Sequence, residues 1–485
     1  MQEKMKFRSE ESIKSENVNR TRNQPQGIIE WIDYYQKNKP QTNALAAGIM
    51  IMIYSGQQLG WGIFNNHLKA QPWAGGYEDE GSVFWVIITW FIASIVGFFF
   101  ASIIVNNLSK LSIYILASVL SGISAALLIT FSADIYYVFI SRILGGLAHG
   151  ITYPTVLIHA SEVSVVKLRG MVVSTIHLCF IIGVFTTSSS LLPVYDARSY
   201  EVDPTKTIGI NGLICVATGV LIAIFFNRES PVFLIRKYRD KEAIQTMIRL
   251  RCESSETIDI RKDFSELKIM VMEDIKSNLN IFDRANRWPL FVVLVMKIIF
   301  VASFNMPLNL IWLEAVESKL YNGKVDPSGM CLSGIRWIVI LIMMFLIDFK
   351  RIKFYIYSTL LSCGLLCLLL IALRSSAMGD DETTLITLLA FMFQATTGIA
   401  IGILADVYST EAFNTRKKPL SIAFSSSFEF LLQIFMIAVV FYLKDQTTTI
   451  ICGLTIVMGL GIFAYFIPDT SGMSLLKARN KFLCH

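Results

Sequence analysis

Apolar residues in this chain gather into blocks of about 20, and that spacing constrains the fold more than any other feature. A helix of that length crosses about 30 Å of hydrocarbon at about 1.5 Å per residue. Twelve spans are expected, at residues 42–64, 82–105, 111–132, 136–158, 170–193, 207–226, 289–312, 330–347, 354–374, 384–407, 420–443 and 449–467. Of the 485 residues 54% are hydrophobic and 16% charged, whereas ordinary globular chains carry about 25% charged residues. No soluble core hides that much apolar surface, so the chain reads as an all-α, multi-pass integral membrane protein in contact with a lipid bilayer.

The spans divide six plus six about a long polar insert. The expected organisation is an N-terminal tail (1–41), a first six-helix half (42–226), a linker (227–288), a second half (289–467) and a C-terminal tail (468–485). Most of the 43 Lys and Arg residues lie in the tails, the linker and the loops on their side. By the positive-inside rule that side is cytoplasmic, as are both termini, and the net charge of +6 needs no nucleic-acid partner. The first 40 residues contain no apolar stretch followed by a cleavage site, so span one is expected to serve as the signal anchor. Residues 27–39 mix aromatic and charged side chains and read as an interfacial anchor ahead of span one. Cys179, Cys215, Cys363, Cys367 and Cys452 fall inside apolar blocks, which suits neither a disulfide framework nor a zinc site. No metal or cofactor is expected.

One short cassette occurs twice. Glu162 precedes Arg169 by seven positions, and Glu411 precedes Lys418 by the same interval, each where an apolar block runs out into a basic loop. Such duplication marks secondary transporters. A carboxylate at a span's end and a base just past the turn can bridge neighbouring helix ends and so act as a gate. An isolated surface pair would contribute at most about 1 kcal/mol; its repetition in both halves favours the gate.

The residues around the first cassette extend the pattern. The run SRILGGLAHGITYPTVLIHASEVSVVKLRG carries Arg142, Gly145, Gly150, Glu162, Arg169 and Gly170; RESPVFLIRKYRDKEA carries Glu229, Ser230 and Pro231; PDTSGMSL closes the chain. Together they resemble the signatures of the sugar porters within the major facilitator superfamily. The resemblance implies twelve helices in two pseudo-symmetric halves, alternating access, and a gate drawn from Arg142, Glu162, Arg169, Glu229, Asp348, Glu411 and Lys418. The family's DRxGRR loop also occurs twice. Its second copy here runs from Asp348 to Lys353, while the first, Asn106 to Leu111, has lost its acid and its arginine.

Positions that hold a neutral sugar in that family are filled differently here. By register they correspond to His177, Phe300, Val301, Asn305 or Met306, Arg336, Asp406, Glu429 and Phe430. Lys297, two turns before Asn305, adds a further charge. A charged side chain at mid-membrane costs about 2.5–3.5 kcal/mol on insertion scales, so such residues persist where partners, water or a solute compensate them. The candidate solute-binding residues are therefore His177, Lys297, Asn305, Arg336, Asp406 and Glu429, with internal pairing of Lys297 to Asp406 or Glu429 as the plainer account. Asp406 lies five residues before Glu411, about 140° around the helix, and is expected to serve the cavity rather than the gate. The Asn305-Met306-Pro307 sequence is expected either to break span seven at the binding site or to kink it passively. His149 and His159 read as packing residues.

The expected function is a carrier of a small polar organic solute that can itself be charged, coupled to protons through Asp406 or Glu429. A monomer in the plasma membrane is expected. Facilitated transport of a mono- or disaccharide and solute sensing without transport are the alternatives. The chain has no GxxxxGK[ST], HExxH or GxSxG motif, which argues against an enzyme or an ATP-driven pump.

Overall fold

The computed structural model describes residues 28–63, 80–196, 203–276, 281–304, 328–374, 380–443 and 467–483, and all regular structure among them is helical. In chain order the α-helices are α1 (Ile28–Asn43), α2 (Ala46–Ile63), α3 (Glu80–Ile104), α4 (Lys110–Thr130), α5 (Ile135–Val163), α6 (Arg169–Asp196), α7 (Pro204–Phe226), α8 (Pro231–Arg236) and α9 (Asp240–Leu250). They continue as α10 (Ile258–Lys276), α11 (Arg284–Phe304), α12 (Ser328–Leu346), α13 (Arg351–Arg374), α14 (Asp380–Gly398), α15 (Ile401–Glu411), α16 (Lys418–Leu443) and α17 (Leu475–Leu483). Spans one to six are α2 to α7; span seven is α11, spans eight and nine are α12 and α13, span ten is α14 with α15, and span eleven is α16. Span twelve, Asn305 and the Pro307 break lie outside the described residues. Among the described residues, seven helical segments are long and apolar enough to cross a membrane by length and composition alone.

Apolar helices in a bilayer bury their backbone groups internally and show side chains to lipid. On α7, Leu221, Ile224 and Phe225 are at least 60% exposed, an outward face suited only to an apolar solvent. Without a hydrophobic force between helices, close packing depends on small residues. Gly56 on α2 meets Gly183 on α6: a Cβ built on Gly56 would stand 1.9 Å from the Phe180 carbonyl oxygen, and one on Gly183 2.0 Å from that of Ile53.

In the first half α3 packs on α5, α2 on α6 and α7, and α4 on α5 and α7. The two halves meet where α3 packs on α16 and where α6 packs on α12, span two against eleven and five against eight. α15 reaches across to α6 and α5, while α11 lies between α15 and α16. This places the middles of α5, α6, α11, α15 and α16 around one interior point.

Span ten was expected to be continuous, and instead it breaks at Ile399 and Ala400, whose φ, ψ of −152°, −23° leave the helical region. Side chains take up groups beside the break: Ser358 donates to the Thr396 carbonyl at 2.5 Å, and Arg336 donates to Thr397 Oγ1 at 3.1 Å. Broken helices in membrane proteins need such substitute partners.

One end of the bundle is capped by α8, α9, α10 and α17. Ser230 N-caps α8, accepting from the Phe233 amide, with Pro231 at the first helical position. Val232, Phe233, Leu234, Ile235, Ala243 and Val271 form a small core beneath these helices. We call this end the linker face. α1, read from sequence as an interfacial anchor, docks here: Gln41 accepts from the Val165 amide at 3.0 Å, and Lys37 pairs with Glu253 at 2.7 Å.

Candidate functional site

At the interior point, Lys297 on α11 is pinned by both halves. Its ammonium lies 3.0 Å from Asp406 Oδ1 and 2.8 Å from Glu429 Oε2, and it donates to the Tyr153 hydroxyl at 2.9 Å. Tyr153, on α5, donates in turn to Asp406 Oδ1 at 2.5 Å. Gln433 supports Glu429 at 3.2 Å, and His177 Nδ1 approaches Asp406 Oδ2 at 3.7 Å. Lys297, Asp406, Glu429 and His177 are all buried. The pairing of Lys297 with both carboxylates satisfies the internal compensation that buried charges require.

Local sequence explains how each group reaches the cluster. Gly402, one turn before Asp406, makes room for the imidazole of α6: a Cβ there would stand 2.6 Å from His177 Cε1. Glu429 and Gln433 stand four apart on α16 and so share a face. Arg336 is buried beside the span-ten break, donating to Gln394 at 3.2 Å and to Thr397 at 3.1 Å. Asn305 lies outside the described residues.

An aromatic wall adjoins the cluster. His149 stacks on Phe430 with centroids 5.6 Å apart and planes 7° apart, Trp90 lies 4.9 Å from His149, and Phe91 and Phe98 complete the contacts to Phe430. Sequence reasoning missed Tyr153 and Trp90. Both are amphipathic aromatics in span interiors, where a buried hydroxyl or indole N–H requires a partner, and that requirement was the available signal. His159 does read as packing, bonded to the Tyr114 hydroxyl at 3.0 Å and the Arg228 carbonyl at 2.8 Å.

The second cluster, on the linker face, differs from the expected cassette pairs. Arg169 reaches across the halves to Glu411 at 3.2 Å, where Arg351 also binds both carboxylate oxygens at 3.0 Å. Arg351 further bonds Asp348 at 2.5 Å and Thr470 at 3.2 Å, and Arg169 donates to the Met473 carbonyl at 3.1 Å. The Asp348 carboxylate accepts from the Gly170 and Met171 amides at 3.0 and 2.9 Å, capping the N-terminus of α6 from the opposite half.

Glu162 does not pair with Arg169; it accepts from the Ser230 hydroxyl at 2.5 Å. Lys418 is buried at the start of α16 and takes part in no ion pair among the described residues. Glu229 accepts from the Lys110 amide at 2.8 Å and the Ser230 amide at 3.0 Å. Burial holds its carboxyl above the ordinary value of 4.5, outweighing the pull of Lys110. The exchange follows from geometry: helix ends of opposite halves converge at the linker face, so Arg169 and Glu411 meet across it while Glu162 turns to the Ser230 hydroxyl.

Arg142 was grouped with the gate and does not belong there. It precedes Glu162 by twenty residues on one helix, about 30 Å of rise. Its guanidinium donates to the Gln58 side chain at 3.0 Å and the Ile87 carbonyl at 3.2 Å, and sits over the Trp61 ring at 5.1 Å. It braces α2, α3 and α5 toward the other end of the bundle.

The chain matches the family described as Sugar (and other) transporter over residues 62–482. It is 30% identical over 129 residues to the galactose-proton symporter of Escherichia coli (strain K12), covering 27% of this chain and 26% of that protein. With the sugar transporter ERD6-like 17 of Arabidopsis thaliana it shares 27% identity over 180 residues, 35% of this chain and 34% of that one. The chain thus aligns with only about a quarter to a third of the length of these relatives. The structure of the proton:xylose symporter XylE bound to 6-bromo-6-deoxy-D-glucose superposes with a TM-score of 0.77 at 14% identity, covering 93% of this chain and all of that one. Its fold is therefore that of the major facilitator superfamily, and these matches are transporters, not enzymes. With helices, halves and signatures in agreement, this multi-pass membrane protein belongs to the sugar (and other) transporter family.

Proposed function

We propose that this protein carries a small polar organic solute across a membrane by alternating access, with the site between its halves coupled to protons. The observation that carries this reading is the buried cluster of Lys297, Asp406, Glu429 and Tyr153, where residues of both halves meet at mid-membrane. Ionisable groups at that depth mark solute and proton paths. Two carboxylates around one ammonium leave an acid able to take and release a proton, while the Arg169–Glu411–Arg351 cluster holds the linker face shut.

On the charge asymmetry of the sequence, we place the linker face and both termini in the cytoplasm; a monomer in the plasma membrane completes the proposal. Uptake into proteoliposomes, measured for neutral and charged solutes at two pH values, tests the reading. Loss of pH-dependent uptake in Asp406→Asn and Glu429→Gln is the supporting result. Uptake unaffected by pH and by both substitutions would refute the coupling.

The relatives named for galactose and xylose favour a second reading, movement of a neutral sugar. Saturable uptake of labelled sugar, competed by unlabelled sugar, would establish it.

A further inference from the structure

A cleft of about 600 Å³, partly open to solvent, lies at the linker face and shares no lining residue with the Lys297 cluster. Three parts of the chain wall it: the end of α5 with the turn into α6, the linker helices α9 and α10, and the start of α17 at Ser474, Leu475 and Leu476. Much of the lining is apolar, with Met247 and Leu250 from α9, Leu267 and Met270 from α10, and Leu475 from α17. Apolar walls with a few placed polar groups are the usual form of a small-molecule site.

One of those polar groups has an edge with nothing to bind. Arg169 lines the cleft and is 3% exposed. Its Nη1 is committed to Glu411 at 3.2 Å and to the Met473 carbonyl at 3.1 Å. Its Nε is buried without a hydrogen-bond partner, and Nη2 donates to no described residue. The Nε–Nη2 edge is one by which arginine takes both oxygens of a carboxylate at once. Met473 stands two residues before the first residue of α17, so the guanidinium that holds its carbonyl lies beside that helix's N-terminus, where the helix dipole favours an anion. The Ser164 hydroxyl, also in the lining, is buried without a partner.

The acids of the cleft are compensated elsewhere. Asp263 pairs with Arg251 at 2.5 Å, and Glu162 accepts from Ser230 with the ammonium groups of Lys110 and Lys418 in its field. Glu266 is half-buried and solvated at the rim, whereas the Arg169 edge is shielded and gains a partner only from a group that enters the cleft. Glu162 and Glu266 disfavour a doubly charged phosphate relative to a singly charged carboxylate.

We propose that this cleft binds an organic carboxylate with an apolar body, entering from the aqueous side, and that its occupation holds the two halves closed at the linker face. The carboxylate takes the Nε–Nη2 edge of Arg169 and the first-turn amides of α17, and the apolar body lies on Leu250, Leu267 and Met270. Arg169 belongs to the first half while Met473 and α17 follow the second, so a ligand that grips both bridges the halves. A bound carboxylate is thereby a brake on alternating access; the brake rests on the transport reading above, and the binding does not.

The test titrates the full-length protein in detergent with 4-phenylbutyrate, 4-phenylbutan-1-ol and 4-phenylbutylamine, which share one body and differ in the charge of the head. The carboxylate should bind about tenfold or more tightly than the alcohol or the amine, as a charge-assisted bidentate contact implies. Leu267→Trp, which fills the cleft, should weaken it by about as much. Equal binding of the three, or displacement of the carboxylate by equimolar inorganic phosphate, would overturn the site. That comparison uses the unmodified protein and stands even if Leu267→Trp fails to fold. In hydrogen exchange, 4-phenylbutyrate should slow the amides of 410–418, a segment that contains Glu411 and lines no part of the cleft. Binding without that slowing would overturn the brake and leave the transport reading intact.

Discussion

Asp348 caps a helix that belongs to the other half of the molecule: its carboxylate accepts the Gly170 amide at 3.0 Å and the Met171 amide at 2.9 Å. The related position in the first half cannot do the same. Asn106 stands where the acid would be and donates to the Arg416 carbonyl at 3.0 Å, and the residue corresponding to Gly170 is Pro419, which has no amide hydrogen to cap. Loss of the acid and loss of the N–H occur together, so the charged cap between the halves is present on one side and replaced by a neutral bond to the Arg416 carbonyl on the other.

Asp348→Asn is therefore expected to loosen the closed linker face by about 1–2 kcal/mol, since a charged cap becomes a neutral one. Asn106→Asp should change little. Thiol labelling of Cys introduced at the buried Ser161, with the exposed Cys252 replaced by Ser, reports the difference. Equal labelling in Asp348→Asn and the parent would contradict that role for the charged cap.

Glu411 is the acid that Arg169 and Arg351 share, with Asp348 a further partner of Arg351. Glu411→Gln leaves two buried guanidinium groups without their shared counter-charge and is expected to cost about 3–5 kcal/mol. Arg351→Met combined with Glu411→Gln should cost less than the sum of the two single changes, because the contact between them is lost only once, while Arg169 keeps the Met473 carbonyl. Thermal denaturation in detergent across this mutant cycle measures the coupling.

Lys297→Met should destabilise by a similar about 3–5 kcal/mol, since Asp406 and Glu429 then face each other without the ammonium. Adding Asp406→Asn and Glu429→Gln should recover most of the loss. If the triple variant melts no higher than Lys297→Met, the cluster's charge balance is not what holds these helices together.

Glu229 contributes a pH dependence outside the membrane. Its folded carboxyl binds a proton more readily than the ordinary value of 4.5 implies, so the folded state holds more protons than the unfolded state in the window just above that value. Its contribution to stability is complete below 4.5 and is lost as pH rises through the folded value. Glu229→Gln should flatten the melting temperature against pH across that window. An unchanged slope would assign the dependence to other groups.

Several features were legible in the chain because they depend on short stretches of residues. Apolar blocks declare the spans, since crossing hydrocarbon demands length and hydrophobicity alone. The cost of burying charge singled out Lys297, Asp406 and Glu429, and their mutual pairing satisfies it. Asp406 and Glu411 separated into the interior cluster and the linker-face cluster, because five residues turn a helix to a different face. Tyr153 passed unnoticed since nothing in its neighbourhood of the sequence shows that its hydroxyl faces a lysine 144 positions away.

The sequence by itself determined that this is a helical membrane protein of two related halves, with charge committed to its interior and to one face. Only the tertiary structure decided which charges meet. Arg169 lies seven residues from Glu162 and yet bonds Glu411, 242 positions distant, while Arg142 stands apart from both. Periodicity and insertion cost act within one helix and can be read along it; partner choice depends on helix rotation and on how the halves dock, which bring together residues that the chain keeps far apart.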